Sequence, residues 1–91
     1  MKYEIVPSNQ FKKDLRLAQK RGYDLGKIKK VITDLANGVM LESKYRDHSL
    51  TGDYSGCREC HIQPDWLLVY QIYENQLILF LARTGTHSDL F

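Results

Sequence analysis

Ninety-one residues, 43% of them hydrophobic and 26% charged, suffice for one domain over residues 1–91 with one modest core. No run of about 18 apolar residues occurs, which excludes a membrane-spanning helix, and no membrane partner is expected. The net charge of +2 conceals a division: residues 1–46 hold eleven Lys/Arg against five Asp/Glu, and residues 47–91 hold two against six.

The start, Met1-Lys2-Tyr3-Glu4-Ile5, enters charged sequence directly, so no secretory leader is expected. A cytoplasmic setting follows, with Cys57 and Cys60 reduced. Residues 2–6 read as a short strand. Ser8 or Asn9 caps a helix beginning near Gln10, whose apolar face is Phe11, Leu15 and Ala18. Gly22 suits the left-handed position after its last turn. A second helix starts at Asp24, carries Leu25, Ile28, Ile32 and Leu35 on one face, and ends at Asn37-Gly38. Lys27, Lys29 and Lys30 occupy its other faces, a basic platform suited to phosphates.

Residues 39–56 read as a long connection of the kind that often carries function. Three strands follow, at about 57–62, 66–73 and 76–82, separated by Gln63-Pro64-Asp65 and Glu74-Asn75. Turns this short make an antiparallel meander. The expected fold is therefore α+β, two helices packed on a mainly antiparallel sheet in the order β-α-α-β-β-β.

All three histidines fall in the last 44 residues, with the lone tryptophan. Imidazoles exchange protons near neutral pH, and an arginine fork holds phosphate. His48 lies in the long connection. His61 ends one strand and Asp65 starts the next, so the two are expected as neighbours and as a pair. Alternation puts His61 on one face with Glu59 and Cys57. Arg83 ends the last strand, and Thr84-Gly85-Thr86 lets His87 fold back over it. Trp66 and Phe91 are candidate base-stacking rings, and Arg58 a second phosphate contact. Cys57-Arg58-Glu59-Cys60-His61 also spells the haem-attachment motif C-x-x-C-H, but strand alternation sends the cysteines to opposite faces. Neither haem, a zinc clip nor a dithiol fits, and no metal or cofactor is expected.

The run Lys13-Asp14-Leu15-Arg16-Leu17-Ala18-Gln19-Lys20-Arg21, the stretch Tyr45-Arg46-Asp47-His48-Ser49-Leu50-Thr51-Gly52, the segment Arg58-Glu59-Cys60-His61, Pro64-Asp65-Trp66 and the tail Arg83-Thr84-Gly85-Thr86-His87-Ser88-Asp89-Leu90-Phe91 together resemble the YafQ-type toxins of the RelE/ParE superfamily. The resemblance implies a microbial ribonuclease-like fold and an endoribonuclease that cuts messenger RNA in the ribosomal A site. It implies a site of His48, His61, Asp65, Arg83, His87, Trp66 and Phe91. It also implies a ribbon-helix-helix antitoxin, with operator DNA bound only through the antitoxin complex. The expected chemistry is metal-independent attack of a 2′-hydroxyl on the adjacent phosphorus. His87 is expected as general acid, with His61 and Asp65, or Asp65 itself, as base. Two alternatives stand: a non-enzymatic gyrase inhibitor and a basic RNA-binding module without catalysis.

Overall fold

The computed structural model describes residues 1–91. Its elements are β1 (Glu4–Pro7), α1 (Asn9–Lys20), α2 (Leu25–Ala36), β2 (His48–Ser49), β3 (Arg58–Gln63), β4 (Trp66–Tyr73), β5 (Ile78–Gly85) and α3 (His87–Leu90). One sheet runs in the order β1-β5-β4-β3-β2. β1 lies parallel to β5, and every other pairing is antiparallel.

The helices form where capping and periodicity agree. Ser8 Oγ accepts from the Phe11 amide at 2.9 Å, and Asp24 Oδ1 from the Gly26 amide at 2.9 Å, each satisfying an amide with no partner in the helix. Gly22 follows α1 with φ +82°, a value that costs glycine little. Phe11 and Ala18 of α1 and Ile28, Val31, Leu35 and Ala36 of α2 are buried. They pack on Cys60, Ile62, Trp66, Leu68, Tyr70, Leu79 and Leu81 of the sheet. The α2 stripe is thus wider than its expected face, because Val31 and Ala36 join it.

A second, smaller cluster lies on the opposite face. Leu67 and Val69 of β4 pack there with Leu90 of α3, flanked by Leu50, Tyr54, Cys57 and Ala82. The sheet therefore has one face sealed by helices and one face covered only at its margin. That second face carries Glu59 and His61.

Several expectations are corrected. The connection at 39–56 contains β2 and two short 3-10 turns, Ser43–Tyr45 and Gly52–Tyr54. Two paired residues show no periodicity, so β2 had no signal. The last strand starts at Ile78 and runs on to Gly85, because Leu77 turns the chain with φ +53°. The tail forms α3. Beyond Pro7, β5 has no neighbouring strand on its β1 side. There Ser8 Oγ donates to the Ala82 carbonyl at 2.8 Å, and Asp14 Oδ2 accepts from the Thr84 amide at 3.2 Å. Side chains thus satisfy an edge that would otherwise be open.

Candidate active site

Three imidazoles line the exposed face of the sheet. His48 of β2 is opposite Glu59 of β3 in the register, and His61 follows Glu59 by two residues. The His48 and His61 rings are 6.3 Å apart, the His61 and His87 rings 5.8 Å, and the His87 and Phe91 rings 6.4 Å. Beneath them lies Glu59, only 4% exposed. Its Oε1 is 3.4 Å from His61 Nε2 and 3.7 Å from His48 Nε2.

Each ring is held through the same nitrogen. His48 Nδ1 donates to the Arg46 carbonyl at 2.7 Å, and His61 Nδ1 to the Pro64 carbonyl at 3.3 Å. His87 Nδ1 donates to Asp65 Oδ1 at 2.8 Å. A carbonyl or ionised carboxylate only accepts, so Nδ1 carries the proton and Nε2 keeps a free lone pair in the neutral ring. Asp65 Oδ1 also accepts from the His87 amide at 3.1 Å. This amide first, and then the imidazole, hold the Asp65 carboxyl below its ordinary range.

The short helix α3 sets His87 and Phe91. Thr86 and Asp89 form a capping box at its start. Arg21, the residue after the last of α1, donates to Asp89 twice, at 2.6 and 3.2 Å, and this contact is the largest cause of a lowered Asp89 carboxyl. A Cβ at Gly85 would lie 2.9 Å from Asp89 Oδ2, so the turn into α3 needs glycine. Leu90 is buried, and the Phe91 ring meets Tyr54 edge-on at 5.4 Å. Phe91 is 62% exposed, so a nucleobase can reach it.

The structure brings His48, His61, Asp65, His87 and Phe91 together, and corrects four readings. Asp65 pairs with His87, and the carboxylate near His61 is Glu59; the turn at 63–65 carries Asp65 toward α3. Trp66 is 1% exposed, donates from Nε1 to Thr84 Oγ1 at 2.9 Å and packs on Tyr23 at 4.9 Å. It is a core residue, because it shares the helix-covered face with Leu68 and Tyr70. Arg83 is not free: Nε and one terminal nitrogen donate to Asp14 at 2.9 and 3.0 Å. It also lies inside β5. Arg83 is opposite Val69 while Leu81 is opposite Tyr70, so Ala82 is a bulge that re-aims the side chain after it. Arg58 is likewise engaged, with Asp47 at 3.1 Å and Ser49 at 2.9 Å.

Of the basic platform, Lys27 and Lys30 line a cleft of about 590 Å³ that reaches His61, together with Lys44, Tyr45 and Arg46. Lys29 is exposed outside that lining, and Lys30 bonds Asp34 at 2.9 Å. Sequence reasoning placed the Lys44–Arg46 wall in the long functional connection and Glu59 beside His61 by alternation, but gave no role to Tyr54 or Asp14.

Residues 3–91 match the family described as the bacterial toxin of type II toxin-antitoxin systems, YafQ. The mRNA interferase toxin YafQ of Escherichia coli (strain K12) is 43% identical over 89 residues, covering 97% of this chain and 95% of that protein. A crystal structure of the E. coli DinJ-YafQ complex aligns with TM-score 0.90 and 42% identity over 98% of both chains. A metal-bound toxin from Helicobacter pylori aligns with TM-score 0.92 and 47% identity over 98% and 99%.

Proposed function

The chain belongs to the YafQ family of type II toxins, and we propose that it is an mRNA interferase, an endoribonuclease that cuts messages in the ribosomal A site and so stops translation. The observation that carries this reading is the row of three imidazoles, each held through Nδ1 with Nε2 free, beside one exposed aromatic.

The reaction is attack of a ribose 2′-hydroxyl on the adjacent phosphorus, with loss of the 5′-oxygen. The products are a 2′,3′-cyclic phosphate and a 5′-hydroxyl. His61 takes the 2′-hydroxyl proton at Nε2. The buried Glu59 carboxylate, 3.4 Å away, favours the imidazolium that forms. His87, charged and bonded to Asp65, gives its Nε2 proton to the leaving oxygen. Asp65 is committed twice to His87, so it serves as a positioning group and His61 is the better base. His48 orients the substrate beside Glu59. Acid–base assistance of this kind contributes about 10²–10⁴-fold.

Arg83 stabilises charge on the phosphate. The Asp14 contact raises the guanidinium's pKa, and of its two terminal nitrogens only one is bound to Asp14. Phe91, edge-on to Tyr54, stacks a base, a contact worth about 1–3 kcal/mol. Lys27, Lys29 and Lys30 contact ribosomal RNA. The chain acts in the cytoplasm as a single toxin domain and needs no metal for cleavage.

A relative of this chain is found in a complex with DinJ. By the same pairing, this chain is held inactive by a cognate ribbon-helix-helix antitoxin and meets operator DNA only through that complex. The test is primer extension on a translated message after induction. Discrete new 5′ ends inside the reading frame support the reading; unbroken message with growth arrest would refute it.

A further inference from the structure

His48 stands on the least supported element of the sheet. β2 is an edge strand of two residues, His48 and Ser49, shorter than the roughly 3–10 residues usual for a strand. These two residues nonetheless begin two cross-strand rows. His48 is opposite Glu59, itself opposite Val69, and Ser49 is opposite Arg58, itself opposite Tyr70. Alternation sends the two rows to opposite faces. The first lies on the face of the imidazoles. The second lies on the helix-covered face, where Tyr70 belongs to the main core. Arg58 therefore leaves the sheet on the side away from the histidines.

On that side one guanidinium ties both neighbours of His48. Arg58 Nε donates to Asp47 Oδ1 at 3.1 Å, and a terminal nitrogen donates to Ser49 Oγ at 2.9 Å. Tyr70, 1% exposed, points its hydroxyl at both Asp47 oxygens, each 2.8 Å away. Burial, and then the Asp47 contact, push the Tyr70 phenol pKa up, so the hydroxyl keeps its proton and donates. With residues 47 and 49 gripped from behind, His48 projects toward the open face. Just before Asp47, Arg46 has φ +49°, and its carbonyl accepts from His48 Nδ1 at 2.7 Å. A positive φ at a residue other than glycine persists where its surroundings impose it, and the Asp47 anchor does so here. We propose that Arg58 and Tyr70 are positioning residues: through Asp47 and Ser49 they set the His48 ring and its tautomer for cleavage, and Arg58 does not contact phosphate.

The use of His48 in cleavage rests on the nuclease reading; the placement of its ring does not. Long-range proton–nitrogen NMR spectra of the full chain report the tautomer of each histidine, and His48 should show the Nδ1–H form. Tyr70→Phe removes only the hydroxyl, and Arg58→Lys keeps the charge but loses the fork. Each should shift His48 toward a mixture of tautomers and leave His87 unchanged. Tyr3→Phe is the control: it deletes the hydroxyl of another buried tyrosine, bonded to Glu74 at 2.7 Å, and should leave His48 unmoved. Tyr70→Phe and Arg58→Lys should each lower single-turnover cleavage about 10-fold, the effect of one hydrogen bond to a charged group, and neither should lower it further in a His48→Ala background. Arg58→Ala should leave the salt slope of ribosome association unchanged, whereas a lost phosphate contact would flatten it by about one unit. Unmoved His48 signals in both Tyr70→Phe and Arg58→Lys, an equal shift in Tyr3→Phe, losses that add to His48→Ala, or a flattened slope for Arg58→Ala would overturn the proposal. If circular dichroism shows Arg58→Ala unfolded, Tyr70→Phe and Arg58→Lys still decide it. A protein that never cleaves would refute the nuclease reading, while the spectra still decide whether Arg58 and Tyr70 hold the ring.

Discussion

Replacing Asp14 by alanine should destabilise the fold through Arg83. The Asp14 side chain is 8% exposed and that of Arg83 28%. Asp14 accepts from Arg83 Nε at 2.9 Å, from its terminal nitrogen at 3.0 Å, from the Thr84 amide at 3.2 Å and from Gln10 at 3.0 Å. Removing one partner of a buried ion pair costs about 3–5 kcal/mol. Arg83 can turn partly to water, which brings the expected loss to about 2–3 kcal/mol. At about 4–8 °C per kcal/mol for a domain of this size, Tm should drop by roughly 10–20 °C. The pair should show in a cycle: Asp14→Ala with Arg83→Ala should lose less than the sum of the single losses. The pH dependence has a definite sign. Burial acts to raise the Asp14 carboxyl, but the hydrogen bonds from Arg83, Gln10 and Thr84 outweigh it and leave it lowered. Its contribution is therefore fully present above the unfolded value of about 3.9 and lost as pH falls through the lower folded value. The Tm gap between wild type and Asp14→Ala should be constant from about pH 5 to 7 and narrow below about pH 4. Melting scans across that range are the assay. A variant melting within about 2 °C of wild type at neutral pH would refute the claim that Asp14 is what holds Arg83 and the open edge of β5.

Four further outcomes are expected. His87→Gln should lower single-turnover cleavage by at least about 10²-fold while Tm moves little, since the side chain is 55% exposed; equal cleavage would remove His87 as the acid. Trp66→Ala should cost about 3–5 kcal/mol in urea unfolding, whereas Phe91→Ala should leave stability nearly unchanged and raise KM; the reverse pattern would return Trp66 to substrate contact. Changing Lys27, Lys29 and Lys30 to Glu should flatten the salt dependence of ribosome association by about one unit of slope per lost phosphate contact; an unchanged slope would make the platform a solvated surface. Arg83→Ala should still bind the ribosome yet cut slowly, which quench-flow on preformed complexes separates from lost binding.

The helices and meander were legible because their patterns are long and capped: Ser8, Asp24 and Gly22 stand where α1 and α2 begin and end. The site was legible as a set of residues and less so as a set of pairs. Alternation placed Glu59 and His61 on one face, but no periodicity reports that the turn at 63–65 delivers Asp65 to His87 rather than back to His61. The tie between Arg83 and Asp14 was hidden for a similar reason. A single bulged residue, Ala82, changes which face follows it, and bulges leave no composition signal. Its partner Asp14 is 69 positions away in sequence. Trp66 carried a signal that pointed both ways, since the ring that stacks bases is also the ring that fills cores; only the layer of α1 and α2 over it decides.

The central claim is that imidazole proton transfer drives attack by the message's own 2′-hydroxyl. The most direct measurement is cleavage of a message in the ribosomal A site that carries a single 2′-deoxyribose at the scissile nucleotide, compared with the all-ribose message, in excess chelator. The ribose message should yield a 2′,3′-cyclic phosphate and a 5′-hydroxyl, and the deoxy message should remain intact while still bound. Cleavage of the deoxy message at a comparable rate, or a 5′-phosphate product, would contradict it.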